Sequence, residues 1–532
     1  MVLGERFELG GEFMKYVVDG VIVGVDDSER EIRSKIAKRL SIAPESFRFE
    51  IVKRNLEIVE GQPVFYIRSI IDTNSFIRDT SIGFFGPTES LIIQPKRLKR
   101  RPIVVGAGLA GLFAAYVLAK AKLRPIVIEQ GLESHARDEA ISRFESGDPN
   151  LSSSYGVGLG GFSGWCGGAS YSDRLDCYGQ FALDAFLEFG APKSMAIDGV
   201  SYLSAGEMRK IVNKLSTEIE DLGGEIRLGV KMTGLIRSFN KVKGVQTISS
   251  EGKKESIKSG RVVLATGPLE SAMLPILTKA RIKTEAKSFY MGLLAEIGAK
   301  DVDLSVYKED AETSSLPPFH FSKDLRTSSG RKAKIGYLYP NGRVFNNSPF
   351  ASGISLASAF PNSNTRNYVA SVLVKIDPKD FEHFGDHGAN PFLKSFYGSL
   401  YRPSSPSYAP CETLKDFLEE SEPMKLGKVK TSYYPGVYLH DLVNASPSFL
   451  EKDLSEAMAY FAKNFPGIKS GDVIVHGFTS GRTSPFRVVA DEDCNTSLKG
   501  LMSALPDSHK EESILDEARR GIVCAFSLLN QD

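Results

Sequence analysis

Apolar and polar positions alternate along Met14–Val25 with the two-residue period of a strand, then change to the helical spacing Ile32, Ile36, Leu40 within Ser28–Leu40. Arg48–Glu57 and Pro63–Asp72 return to the strand period. This strand-helix-strand-strand order predicts a small α+β unit over residues 1–95, ferredoxin-like in type. From Pro102 the pattern becomes α/β. A short apolar run, Ile103–Val105, leads into a stretch of strong helix formers, and a second apolar run ends at Glu129. Helical patterns follow at Tyr178–Gly190 and Ala205–Leu222, and Gly260–Pro268 reads as another buried strand. Residues 276–452 are rich in strands and loops, with Pro and Ser concentrated in Arg402–Ala409. Residues 453–532 carry two helical stretches around a strand and a loop. No internal repeat is present.

Composition narrows the class. The chain has 532 residues, enough to bury a large core without disulfide or metal staples. Lys and Arg number 66 and Asp and Glu 65, so nothing in the overall charge points to nucleic acid. The only local hint is the basic run Lys96–Arg101, a polyanion patch or a solvated linker into the next strand. No uncharged apolar run approaches the roughly 18 residues of a membrane span, and Met1–Phe13 lacks the apolar core of a secretory signal. Five scattered cysteines with no C-x-x-C argue against a disulfide framework and favour a reducing compartment, so a cytoplasmic protein is expected.

The chemistry is concentrated in Gly106-Ala107-Gly108-Leu109-Ala110-Gly111, set between the strand Ile103–Val105 and a helix. Gly106 permits a tight turn, Gly108 lets a pyrophosphate approach the backbone, and Gly111 lets helix and strand pack closely. The diphosphate charge would meet the helix's positive end. Glu129 follows Gly111 by 18 positions, the spacing at which an acid meets ribose hydroxyls. A second signal runs from the strand containing Met232 through a hairpin to Arg261–Ala265, ending in Ala265-Thr266-Gly267. That order returns the chain to the carboxyl edge of the sheet, beside the glycine turn.

Together these motifs resemble the two-dinucleotide-binding-domain flavoproteins, which bind FAD. The whole chain resembles the FAD-dependent dehydrogenase (NAD(FAD)-utilising dehydrogenase) family, a relative of the tRNA-modifying GidA-type flavoproteins. Later landmarks that carry the resemblance are Tyr337–Gly342, Tyr408–Pro410, Asp416–Leu418, Tyr433–Val437 and Arg482–Arg487. The resemblance implies a discontinuous Rossmann-like FAD-binding domain (96–275 and 453–532) carrying a β-rich substrate or cap domain (276–452). It also implies FAD contacts from Gly106, Ala107, Gly108, Leu109, Ala110, Gly111, Glu129, Gln130, Arg137, Met232, Ala265, Thr266 and Gly267. Arg137, eight residues beyond Glu129, matches the arginine that the family places near the pyrophosphate or ribose; the alternative is a surface charge. FAD then carries a hydride from an unknown small substrate or from transiently docked NAD(P)H.

The chain departs from the family in three places. Tyr337-Leu338-Tyr339-Pro340 replaces Cys-Met-Cys-Pro, and the family's Glu and Arg before Thr-Ser-Ser-Pro become Thr479 and Gly481, with Arg482 displaced by one. The glycine-rich C-terminal loop of related flavoproteins becomes Gly500–Ser513, in which Pro506 removes a donor and Asp507 offers a displaced acid. These losses keep a second function open: a degenerate member that lost FAD or turnover and acts as a scaffold.

Weaker candidates remain. The loop Gly156–Gly168 holds the chain's one tryptophan, Trp165, either stacked on a planar ring or anchoring the loop, and Cys166, redox-active or inert. His383 and His387 stand four apart without a glutamate partner, a poor metal pattern. His320 is either an acid–base group or a structural histidine.

Overall fold

The computed structural model describes residues 14–60, 62–79, 82–84, 91–145, 156–161, 168–171, 176–198, 200–267, 273–308, 316, 319–348, 350, 352–359, 365–385, 388–480, 484–505 and 513–531. Among these the N-terminal segment makes an antiparallel sheet ordered Phe47–Val59, Gln62–Thr73, Met14–Gly24, Gly83–Phe84. The helix Glu29–Leu40 buries Ile36, Ala37 and Leu40 against it. Its start is set locally by a capping box: Ser28 Oγ accepts from Glu31 N–H, and the Glu31 carboxylate accepts from Ser28 N–H at 2.7 Å. The strand order is that of a ferredoxin-like sheet. Among the described residues 74–79, between the last two strands, no second crossover helix forms.

The middle of the chain builds a five-stranded parallel sheet ordered Leu501–Ser503, Val262–Leu264, Ile103–Val105, Ile126–Ile128, Glu225–Arg227. Its three central strands, Val262–Leu264, Ile103–Val105 and Ile126–Ile128, are apolar throughout and buried on both faces. One cover is the helix Leu109–Lys120, in which every residue but the last is buried. It lies between the sheet and the helix Ile514–Asn530. Their closest point is glycine: a Cβ on Gly521 would stand 1.9 Å from the Ala110 carbonyl oxygen. A three-stranded antiparallel sheet, Val230–Ser238, Lys241–Ser249 and Lys254–Lys258, completes this Rossmann-like unit.

The β-rich region is a seven-stranded sheet ordered Lys323–Arg326, Lys332–Tyr339, Asn367–Ile376, Phe289–Gly298, Ile474–Thr479, Ala409–Thr413, Val437–Leu439. Here the boundary expected at residue 452 shifts. Ile474–Thr479 pairs with Phe289–Gly298 inside this sheet, and His476 hydrogen-bonds Glu296 at 2.9 Å with both side chains fully buried. The helix Glu451–Asn464 places Leu454, Ala457, Met458 and Phe461 in the same core. Residues 453–480 therefore belong with the cap. Leu501–Ser503 joins the parallel sheet, Ile514–Asn530 packs on its helix, and Phe486, Val488 and Leu498 share a core with Ile103 and Val262.

Candidate functional site

The first strand of the parallel sheet turns into its helix through glycines with separate duties. Gly106 has φ +104°, and a Cβ there would fall 2.2 Å from the Ala265 carbonyl oxygen. A Cβ on Gly111 would lie 1.9 Å from the Gly106 carbonyl oxygen. These two residues close the turn against the end of Val262–Leu264. Gly108 is different: its φ of −70° suits any residue, and a Cβ there would meet no atom of the described residues within 4 Å. The N–H groups of Leu109, Ala110 and Gly111 have no acceptor within the helix, and Gly108 offers no side chain to cap them. The first-turn N–H groups of the helix thus have no side-chain cap at Gly108.

Glu129 is buried at the end of Ile126–Ile128. Its Oε2 accepts from Ala107 N–H at 2.9 Å, and its Oε1 accepts from Gly131 N–H at 2.8 Å and Gly158 N–H at 3.1 Å. A carboxylate offers about four acceptor positions, so roughly one is left. Gly160 N–H donates to the Ala107 carbonyl at 2.8 Å. Arg137 is buried as well, and its guanidinium donates to the carbonyls of Leu159 (2.9 Å) and Gly161 (2.6 Å). Carboxylate, guanidinium and loop 156–161 therefore form one hydrogen-bonded body around the glycine turn. A Cβ on Gly161 would stand 3.3 Å from Gly108 Cα, which puts this loop beside the helix start. Gly131 must also be glycine, since its Cβ would lie 2.4 Å from Gly158 N. No motif marked Gly131 or Gly521, because their neighbours are distant in sequence.

The third wall is Ala265-Thr266-Gly267. Ala265 N–H donates to the Val105 carbonyl at 2.8 Å, which fixes this turn beside Gly106. Among the described residues Thr266 Oγ1 is buried with no hydrogen-bond partner, and a Cβ on Gly267, at φ +68°, would meet no atom within 4 Å. Among the described residues, room for a Cβ at Gly108 and Gly267, a helix start with no side-chain cap and a hydroxyl without a partner suit a ligand bearing a diphosphate. Leu109 and Ala110 are buried in the helix, Gln130 is exposed, and Met232 packs in an apolar cluster with Ile126 and Ile128. Trp165, Cys166, Arg482, Pro506 and Asp507 lie outside the described residues.

The remaining candidates separate. Tyr202, on a strand opposite Gly168–Tyr171, places its hydroxyl 3.1 Å from His320 Nδ1 and its ring edge-on to Tyr339 at 6.2 Å. The cap and the Rossmann-like unit meet at these rings. His383 packs on Phe384, and His387 lies outside the described residues. Among the described residues no group of three or more His, Cys, Asp or Glu side chains could hold a metal, and no helix is long and apolar enough to cross a membrane. The basic run is partly consumed by the fold. Lys96 Nζ hydrogen-bonds the carbonyls of Leu529 and Gln531, and Arg101 pairs with Glu225 at 2.8 Å.

Two family models match the chain. Residues 288–483 match "FAD-dependent protein, C-terminal domain-like", and residues 104–137 match the NAD(P)-binding Rossmann-like domain. The first covers the cap and ends where the seven-stranded sheet ends; the second covers the glycine turn through Arg137. These matches agree with a Rossmann-like fold and with FAD as the cofactor. An uncharacterized protein of Clostridium beijerinckii is 25% identical over 504 residues, spanning 91% of this chain and 92% of its own length. Among solved structures, the L-proline dehydrogenase of P. horikoshii is similar at 13% identity and a TM-score of 0.32, covering 82% of this chain and 94% of that one. The glycerol-3-phosphate dehydrogenase of Bacillus halodurans complexed with FAD is similar at 12% identity and a TM-score of 0.33, covering 80% and 63%.

Proposed function

We propose that the chain is a FAD-dependent oxidoreductase acting on a small molecule, with FAD held by the glycine turn, Glu129 and the Ala265–Gly267 turn. When bound, FAD supplies the hydride-accepting chemistry. The chain's own residues bind and orient. The first-turn N–H groups of Leu109–Lys120 neutralise a diphosphate at Gly108. Glu129, already fixed by three backbone donors, turns its remaining acceptor position to the ribose. Arg137 acts as a positioning residue, holding loop 156–161 by two carbonyls. Thr266 Oγ1 gains its missing partner. Tyr202, His320 and Tyr339 present polar groups at the junction with the cap, where a substrate can be oriented. No second nucleotide fingerprint occurs, so NAD(P)H would dock transiently.

The observation that carries this reading is the uncapped helix start at Gly108, where a Cβ would meet no atom of the described residues within 4 Å. A scaffold that had abandoned FAD has no reason to keep that space clear. The test is direct. Purified protein is expected to be yellow and to release FAD on heating, and Gly108→Leu is expected to fold normally while losing at least tenfold in FAD content. Colourless wild-type protein that takes up no added FAD, or Gly108→Leu with undiminished FAD, would sink the reading.

A further inference from the structure

The hairpin joining Val230–Ser238 to Lys241–Ser249 turns through Phe239 and Asn240. Phe239 is 94% exposed and sits at φ +48°. Both features cost stability. A bulky side chain is strained in the left-handed region, where Gly, Asn or Asp is the usual turn residue, and a ring left in water buries no apolar area. The turn is nevertheless firmly held. The Arg237 guanidinium donates to the Phe239 carbonyl at 2.9 Å and also to the carbonyl of Ala280, which caps the helix Leu274–Lys279. Lys499 N–H donates to the Asn240 carbonyl at 3.1 Å, and Val242 N–H donates to the Lys499 carbonyl at 3.0 Å. Three chain segments thus hold one aromatic ring out into solvent.

The same three segments carry charge of one sign. Residues 228–250, 273–284 and 494–506 contain no Asp or Glu. On them Arg237, Lys241, Lys243, Lys279, Arg281 and Lys499 are all exposed. Among the described residues none of these six forms a salt bridge, whereas the next cation, Lys283, is paired with Glu285 at 3.2 Å. We propose that this hairpin tip docks the protein on the surface of an anionic lipid bilayer. Phe239 enters the interface, and the Lys and Arg side chains meet the headgroup phosphates. A projecting ring among cations fits a flat surface, whereas single-stranded nucleic acid is bound along grooves. The attachment is peripheral: among the described residues no helix is long and apolar enough to cross a membrane. The tip lies at the amino edge of the parallel sheet, where Val262 N–H donates to the carbonyl of Gly500, the neighbour of Lys499, at 2.9 Å. The other end of the hairpin's first strand lies at the carboxyl edge, where Val230 N–H donates to the Glu129 carbonyl at 2.8 Å. A bilayer at the tip therefore leaves the edge with the glycine turn uncovered.

The experiment is co-sedimentation of the full-length protein with vesicles of phosphatidylcholine alone or mixed with phosphatidylserine, alongside thermal melts. The wild type is expected to sediment with the phosphatidylserine vesicles, not with the neutral ones, and to be released by concentrated salt. Phe239→Asn is expected to bind the anionic vesicles at least tenfold more weakly. Its melting temperature is expected to equal or exceed that of the wild type, because Asn tolerates the left-handed turn. The double variant Lys241→Gln, Lys499→Gln is expected to bind about 10–30-fold more weakly, at unchanged melting temperature. The proposal is overturned if anionic vesicles are not bound, if neutral ones are bound equally, or if either variant binds like the wild type. A lowered melting temperature of Phe239→Asn, which would make the ring a structural group, also overturns it, as does binding of a labelled single-stranded RNA in place of vesicles. These readouts do not depend on whether FAD is bound.

Discussion

Two buried carboxylates show how the same residue type is given opposite tasks by its surroundings. Glu129 is surrounded by three backbone N–H donors and is thereby fixed beside the glycine turn. Glu412 is buried in the cap, where loss of hydration pushes its carboxyl up to about 8; the bond it accepts from Leu442 N–H at 2.7 Å only partly offsets this. A carboxyl raised in the folded state binds its proton there while the unfolded chain has already released it. Its contribution is therefore complete below about pH 4.5 and is lost as pH rises toward 8. Glu412→Gln keeps an acceptor for Leu442 and removes the titration. The variant is expected to match the wild type at pH 5 and to exceed it at pH 8 by on the order of 2–4 kcal/mol, read from denaturant melts at the two pH values. Equal alkaline slopes in both proteins would refute the assignment.

Among elements, the glycine-turn helix decides the most. It is apolar all round because sheet and helix enclose it, and its position relative to Ile514–Asn530 is set by the absence of a Cβ at Gly521. Gly521→Ala forces these helices apart at the Ala110 carbonyl, one residue from the start of the turn's donors. A loss of about 2–3 kcal/mol is expected, together with weaker FAD retention than in the wild type. A variant with unchanged melting and unchanged FAD content would show that the contact relaxes freely. The glycine-strand-helix motif and Glu129 were legible because each is a local requirement on backbone shape or charge. Gly521 was not, since a glycine inside a helical pattern acquires meaning only from the second helix.

At the scale of the whole molecule, the question was which core claims the segment after residue 452. Arg331 settles it physically. Its guanidinium makes two 2.7 Å bonds to Asp380 and lies 3.2 Å from Asp453, at the head of the helix Glu451–Asn464. All three side chains are largely buried. Arg331→Ala leaves two uncompensated carboxylates and is expected to cost about 3–5 kcal/mol. Arg331→Lys, lacking the planar fork, is expected to recover only part of that. Melting curves of the two variants check this, and an Ala variant as stable as the wild type would detach Asp453 from the cap's stability. The Arg54–Asp198 pair, joining the N-terminal sheet to the Rossmann-like unit, is more exposed and contributes only about 0–1 kcal/mol.

Sequence alone determined whatever depends on near neighbours: the capped helix at Glu29–Leu40, the alternating strands around it, the strand-turn-helix at Gly106, and the acid at a fixed distance beyond it. Each follows from backbone sterics or from hydrophobic period, and both act over a few residues. Tertiary structure decided what depends on distant partners. It assigned Ile474–Thr479 to the cap, turned Arg137 onto the carbonyls of loop 156–161, and left Thr266 Oγ1 without a partner among the described residues. Burial and hydrogen-bond satisfaction are properties of the assembled core, and no local pattern encodes which remote segment will complete them.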